Sequence, residues 1–326
     1  MMSTRIEYID RLKGLAILAV VMGHIIYFVF HLSEDLIWGY IYSFHVPLFI
    51  FLSGYVISTP PYMLKLTKRM IALLMPAITI GGFLCYVTGH SLLYFVTDDM
   101  KLGYWYLFVL AFFYLLLIPF LVNSKCEKVV LRVLIDVGLA LGIWIILFLL
   151  SRYVLSKNIT NILSLNSCYN LWPFFILGYL FRKWDITKEI MRRNWIFSVS
   201  LLGYVSIKLS LDNGLKMHFI PLIMSFCAII SLICLFGWRE NEHTVLDKQL
   251  GLIGRNTLDI YIYHYFLLQI ISLPLLGKWI SSTENYFIEG ILLILLSLSI
   301  AYASIVIGKI IKKSRWLDKM IYGRFF

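Results

Sequence analysis

Apolar residues in this chain run rather than alternate. Ten stretches are each long enough, or nearly so, to cross a bilayer as a helix of about 20 residues. They lie near 12–32, 36–58, 70–88, 104–123, 129–150, 168–182, 194–210, 217–238, 251–274 and 286–308. Continuous runs exclude lipid-spanning strands, whose apolar positions alternate with a period of two. The pattern predicts an all-α polytopic membrane protein with about ten transmembrane helices, organised as one domain over residues 1–326. Composition agrees with the pattern: 60% of the 326 residues are hydrophobic and only 14% are charged.

Charge placement orients the helices. With the N-terminus inside and ten crossings, 23 of the 29 Lys and Arg fall on the inner side. Such a split obeys the positive-inside rule and puts both termini in the cytoplasm. The net charge of +11 is then a topology signal, and nucleic acid is not an expected partner. The first span reads as a retained anchor rather than a cleaved signal peptide, because its apolar core is long and no small-residue cleavage site follows. The five cysteines include no C-x-x-C pair, so neither a disulfide framework nor a metal site is expected.

Ionisable residues within the spans are costly and face the bundle interior. They are His24, His45, Asp136, Asp259 and His264. Counting at 1.5 Å per residue puts His24 roughly 21 Å past Asp10, His45 roughly 15 Å past Asp35 and His264 roughly 14 Å past Arg255. Three helices therefore carry an imidazole in one mid-membrane slab. Asp10, Gly14, Ile17, Val21 and His24 share a helical face, as do Thr257, Tyr261, His264 and Leu268. The expectation is a polar cleft open to the cytoplasm. Asp136 is expected to pair with Arg132 one turn earlier, Asp10 with Lys13 or another inner cation, and Asp259 with inner basic groups.

Several stretches together resemble the integral membrane acyltransferase-3 family, which includes bacterial sugar O-acetyltransferases. They are "IDRLKGLAILAVVMGH" (Asp10, Lys13, Gly14, Gly23, His24), "FHVPLFIFLSGY" at 44–55, "KLTKRMIALLMP" at 65–76, "YWYLFVLAFFYLLLIP" at 104–119, "FFILGYLFRK" at 174–183 and "IGRNTLDIYIYH" at 253–264. They occur in family order and cover nearly the whole chain. There are departures: Lys13 stands where Arg is common, Ala72 takes the second place of an Arg-x-x-Arg begun by Arg69, and Gly103 and Tyr104 precede Trp105 where the family often has His.

The resemblance implies transfer of an acetyl group from cytoplasmic acetyl-CoA, a co-substrate, to a hydroxyl of a cell-surface sugar or polysaccharide precursor, free or lipid-linked. It implies no permanently bound cofactor and a place in the bacterial inner membrane among its lipids. The chemistry fits the residues. A sugar hydroxyl needs a base poised near neutral pH, and histidine supplies one; His24 is the candidate, as base or as acyl carrier. A developing oxyanion needs donors, for which Ser53, Thr257 and Tyr261 are candidates; Asp10, His45 and His264 support or line the cleft. Polyanionic CoA needs cations, and Lys13, Lys65, Lys68, Arg69 and Arg255 are the candidates at the inner mouth. The acceptor is expected from the outer side near 89–104 and 151–167, where Tyr94, Trp105, Tyr153 and Tyr169 lie. The rival readings are a lipid or glycolipid acceptor, or a proton-coupled transporter, for which buried histidines also serve.

Overall fold

The computed structural model describes residues 6–32, 36–57, 63–122, 128–212, 219–270, 274–283 and 285–324. The elements used below are α1 (Glu7–Ile25), α2 (Leu36–Tyr42), α3 (His45–Tyr55), α4 (Met63–Val87), α5 (Trp105–Leu116), α6 (Val129–Leu149), α7 (Leu165–Lys183), α8 (Asn194–Asp212), α9 (Ile220–Trp238), α10 (Val245–Arg255), α11 (Thr257–Ile270), α12 (Pro274–Thr283), α13 (Tyr286–Lys313) and α14 (Arg315–Tyr322). The described residues contain helices and connections and no strand.

Among the described residues, seven spans are long and apolar enough to cross a membrane: Glu7–Phe30, Leu36–Tyr55, Leu66–Val87, Val129–Val154, Asn194–Asp212, Ile220–Trp238 and Tyr286–Lys313. The three other expected spans fall on α7, on the shorter apolar stretch Trp105–Phe120, and on α11. The stretch 251–274 is not one helix. It breaks at Asn256 between α10 and α11. The start of α10 is set by a capping box, in which the Thr244 hydroxyl accepts from the Asp247 N–H and the Asp247 carboxylate accepts from the Thr244 N–H. These bonds satisfy amide donors that the helix itself leaves open.

By its contacts the chain forms two compact units, Met1–Leu52 with Trp184–Gly308 and Ser53–Lys183 with Lys309–Phe326. In the first, α1 is the central element: Ile17, Val21 and Ile25 are fully buried. It meets α10 backbone to backbone. A Cβ added to Gly14 would lie 2.1 Å from the Leu250 carbonyl oxygen, and one added to Gly254 would lie 1.7 Å from that of Asp10. Only residues without a side chain permit this approach. Arg11 fixes the register further. Its guanidinium donates to the carbonyls of Arg239 (2.7 Å), Glu240 (3.3 Å) and Glu242 (2.6 Å), in the turn after α9, and lies 3.4 Å from the Asp247 carboxylate. Carbonyls at a helix end lack partners of their own, and this buried Arg supplies them.

In the second unit, α3 crosses α7 closely at Gly54, where a Cβ would lie 2.1 Å from the Phe175 carbonyl oxygen. α6 and α7 are joined by Trp172 donating to the Ala140 carbonyl (2.9 Å) and Trp144 donating to that of Tyr169 (3.0 Å). Asp136 pairs with Lys183, 2.7 Å away with both side chains buried, a bond between α6 and α7 that the local spacing with Arg132 does not foretell. Asp259, in the first unit, lies against Gly308, whose added Cβ would come 2.5 Å from its carboxyl carbon.

The glycine contact is open to test. Gly254→Ala is expected to lower the melting temperature of detergent-purified protein by several degrees, consistent with about 1–3 kcal/mol or more for overpacking. Gly82→Ala, on a helix position with nothing within 4 Å, is expected to leave it unchanged or slightly raised. Equal behaviour of the two variants in a size-exclusion thermal assay would contradict the assignment.

Candidate active site

His24 stands two residues before α1 changes character. The helix widens into a π-helix over Ile26–Phe30 and stops at His31, whose φ of 57° is left-handed. Helices of this wide type occur mostly as short insertions, frequently at functional sites. The His24 ring is half-buried and is held from two sides by α11. Its Nδ1 lies 2.9 Å from Nε2 of His264, and its Nε2 lies 3.2 Å from the hydroxyl of Tyr265. His264 is fully buried, and its Nδ1 lies 2.8 Å from the Tyr261 carbonyl and 3.0 Å from that of Ile260.

Those two carbonyls settle the direction of the chain of bonds. A carbonyl only accepts, so Nδ1 of His264 carries the hydrogen. With the rings neutral, Nε2 of His264 is then a lone pair and accepts from Nδ1–H of His24. The second nitrogen of His24, Nε2, is left as a lone pair and accepts from the Tyr265 hydroxyl. The backbone of α11 thus sets the tautomer of a ring on α1. The result is an imidazole oriented by one group and presenting a basic nitrogen to another, the arrangement that base-assisted transfer to a hydroxyl requires.

The profile of the acyltransferase-3 family, described as an acyltransferase domain, matches residues 6–306. The chain belongs to that family. It is a membrane acyltransferase. Two curated relatives have similar sequences. Inner membrane protein YcfT of Escherichia coli is 26% identical, with 94% of this chain and 92% of the relative aligned. Nodulation protein NolL of Mesorhizobium japonicum is 25% identical, with 96% of this chain and 89% of the relative aligned. No solved structure matches. The family motifs divide by role in the fold: Gly14 and Gly254 are the helix contact, Gly54 is the crossing of α3 and α7, and His24 and His264 are the bonded pair.

The expected site residues fare differently. His24 and His264 come together. Tyr261 takes part through its carbonyl, with its ring 5.8 Å from that of His264. His45 is buried in the same unit, with its Nδ1 2.8 Å from the Ile41 carbonyl and its ring edge-on to Tyr42 at 4.6 Å. Thr257 opens α11, two turns before His264. Ser53 belongs to the second unit, where its hydroxyl pairs with that of Tyr106 at 2.8 Å. Asp10 is buried, and its carbonyl is the one facing Gly254.

One expectation is corrected. The face Asp10–Gly14–Ile17–Val21 is not a polar cleft, because Ile17 and Val21 are fully buried and Gly14 is pressed against α10. Glycine there serves contact and not openness. Lys13 is better placed. Eleven residues separate it from His24, about three turns, so the two share a face to within about 20°. Lys13 is half-buried and Arg255 exposed.

In the second unit, Lys68 is exposed and half-buried Arg69 bonds the Tyr114 hydroxyl. The side chain of Lys65 lies outside the described residues. Cations not singled out from the sequence join them: Arg182 lies over the ring of Tyr55 at 5.7 Å, and Lys312 over that of Tyr322 at 4.7 Å. The two stretches expected on the acceptor side do meet. Lys101 donates to the carbonyls of Val96, Asp98 and Asn161 at 3.3, 3.1 and 3.0 Å. Of the aromatics there, Tyr169 stacks on Trp144 at 5.8 Å, Tyr94 stacks on His90 at 4.7 Å, Trp105 stands edge-on to Tyr106 and Tyr153 is exposed.

Tyr265 is the residue that sequence reasoning missed. It follows the family's last histidine directly, but a tyrosine among 21 carries no signal until its hydroxyl is placed on His24.

The clamp that seats α1 is pH-dependent. Burial raises the Asp247 carboxyl, but bonds from Thr244 and the charges of Arg11 and Arg239 outweigh it and hold the group below the usual carboxylate range. A lowered carboxyl contributes stability above its unfolded value, near 3.9, and loses it as pH falls through the folded value. Asp247→Asn is therefore expected to melt below wild type at pH 7, with the gap narrowing as pH falls below the unfolded value and through the lowered folded one. A gap that is constant with pH would remove the charge from the clamp.

Proposed function

We propose that this acyltransferase moves an acetyl group from cytoplasmic acetyl-CoA to a hydroxyl of a cell-surface sugar or polysaccharide precursor, with His24 as the general base. The observation that carries the reading is the bonded series from the α11 carbonyls through His264 to His24, which leaves Nε2 of His24 as a lone pair beside a hydroxyl. The Tyr265 oxygen sits where an acceptor hydroxyl would sit to hand its proton to Nε2. In the reaction the acceptor hydroxyl takes that place. Its proton passes to Nε2 as its oxygen attacks the thioester carbonyl. The C–S bond breaks, and the CoA thiolate takes the proton from the imidazolium. The displaced Tyr265 hydroxyl, still adjacent, is suited to donate to the developing oxyanion.

In the first unit the candidates for the donor phosphates are Lys13, which shares the face of His24, and Arg255; in the second they are Lys65, Lys68 and Arg69 on α4. All carry charge suited to phosphates. Arg binds phosphate through two parallel bonds where Lys offers a point charge, so Arg69 is the stronger candidate. The relative named for nodulation and the relative named for the inner membrane are compatible with envelope chemistry. They do not identify the acceptor, and a glycolipid meets the same chemical demand.

His24→Ala is expected to abolish O-acetyl groups on surface glycans, read by mass spectrometry at matched expression. Normal acetylation would remove His24 from the mechanism. His264→Ala should lower turnover on the order of 10²–10⁴-fold, as loss of a positioned base does. His264→Gln keeps an acceptor for Nδ1–H and should retain more activity than the alanine variant. Equal loss in the two would argue that His264 acts by packing alone. Arg69→Ala should weaken acetyl-CoA binding in titration of purified protein, and unchanged affinity would reduce that residue to a topology signal.

A further inference from the structure

The His24 site continues along α2 as a wall of aromatic rings that the mechanism above does not use. Gly23 makes it possible. A Cβ there would lie 2.9 Å from Cε2 of Tyr42, so the absence of a side chain lets that ring rest on the backbone beside the catalytic histidine. Trp38, one turn along α2, stacks on Tyr42 at 4.1 Å and 24°. Tyr42 in turn stands edge-on to His45. The π-helix adds Tyr27, which is 50% exposed and packs edge-on against Phe28 at 4.9 Å. Phe28 is 6.0 Å from the His24 ring and 5.8 Å from Tyr265. Tyr42 is within electrostatic reach of both Tyr27 and Tyr265. The indole N–H of Trp38 is cut off from solvent and has the Tyr42 side chain near it, but makes no hydrogen bond of good geometry among the described residues.

Two explanations compete for such a group. Tyrosine and tryptophan anchor helices at the lipid interface, and they also offer flat faces with polar tips to amphipathic ligands. Interfacial anchors have no need to contact one another. Here Trp38 and Tyr42 stack on each other against Gly23, the residue before His24, and Tyr27 reaches the His24 ring through Phe28. A chain of rings and hydroxyls that ends on a base suits a ligand with apolar C–H faces and many hydroxyls. A sugar ring has both.

We propose that Tyr27, Trp38 and Tyr42 form the acceptor subsite, a shelf on which a pyranose ring of the acceptor lies with one hydroxyl at Nε2 of His24. The proposal rests on the reading of His24 as the base. It gives the acceptor a path along α2, within the unit that holds the histidines. It also gives Gly23 a reason to be glycine, since any side chain there would push Tyr42 away from the reacting nitrogen.

Two readouts test it: surface-glycan O-acetyl content in cells at matched expression, and CoA release from acetyl-CoA by purified protein in detergent without acceptor. Trp38→Leu and Tyr42→Leu are expected to lower surface O-acetyl about tenfold while leaving CoA release within twofold of wild type. Trp38→Phe, which keeps a flat ring, should retain most of the acetylation. The shelf is overturned if Trp38→Leu acetylates normally per folded molecule, including the case in which only its melting temperature falls, as an interfacial anchor would behave. It is also overturned if acetylation and CoA release fall together, which places the damage at His24. His24→Ala in the same assays separates the two readings: intact acetylation there overturns the base, and the shelf with it, whereas abolished acetylation beside a normal Trp38→Leu overturns the shelf alone.

Discussion

The close approach of α1 and α10 is the constraint from which the site follows. Two glycines, Gly14 and Gly254, let the backbones touch where any side chain would strike a carbonyl oxygen. Without a strong hydrophobic drive between helices in lipid, small residues at the interface are what lets helices come this near. The contact fixes where the chain breaks at Asn256 and starts α11. Gly254 faces the backbone at Gly14 as well as Asp10, and from Gly14 to His24, as from Gly254 to His264, is ten residues. The two imidazoles meet because both helices rise from one pinned contact. Arg11 and Asp247 lock the same contact from the side, so a buried cation near the helix end serves geometry that is used several turns away.

Much of this was legible in the sequence, for reasons that can be named. Apolar runs mark spans in lipid because nothing else satisfies the backbone there, so the seven qualifying spans coincide with expected ones. The histidines could be placed in one slab by counting alone, because rise per residue is fixed. What counting cannot give is phase between helices. It placed His24 and His264 at one depth but could not say that they bond. It also read Gly14 as part of a cleft, since an absent side chain is consistent with open space and with intimate contact alike. The break at Asn256 had a visible sign in the polar run Arg255-Asn256-Thr257, which interrupts the apolar stretch. Asp136 shows the bias toward local partners: spacing points only to Arg132 one turn away and says nothing of Lys183, 47 residues on, which bonds it. Tyr265 was invisible because an aromatic residue in an aromatic-rich chain has no distinguishing chemistry until a base is beside it.

The bonded series also explains why two histidines are used where one base would suffice. Water normally decides which nitrogen of an imidazole carries the proton, and at mid-membrane there is little of it. A carboxylate partner would fix the tautomer, as in hydrolase triads, but an unpaired carboxylate in lipid is costly. A neutral imidazole anchored on backbone carbonyls does the same work without burying a charge. His264 takes its orientation from α11 itself, since Ile260 and Tyr261 lie four and three residues earlier on that helix. The supporting group is therefore as rigid as the helix that carries it, which is what a positioned base requires. The basic nitrogen of His24 is the one that accepts from Tyr265. Membrane depth, tautomer and direction of attack are in this way aspects of a single arrangement of backbone.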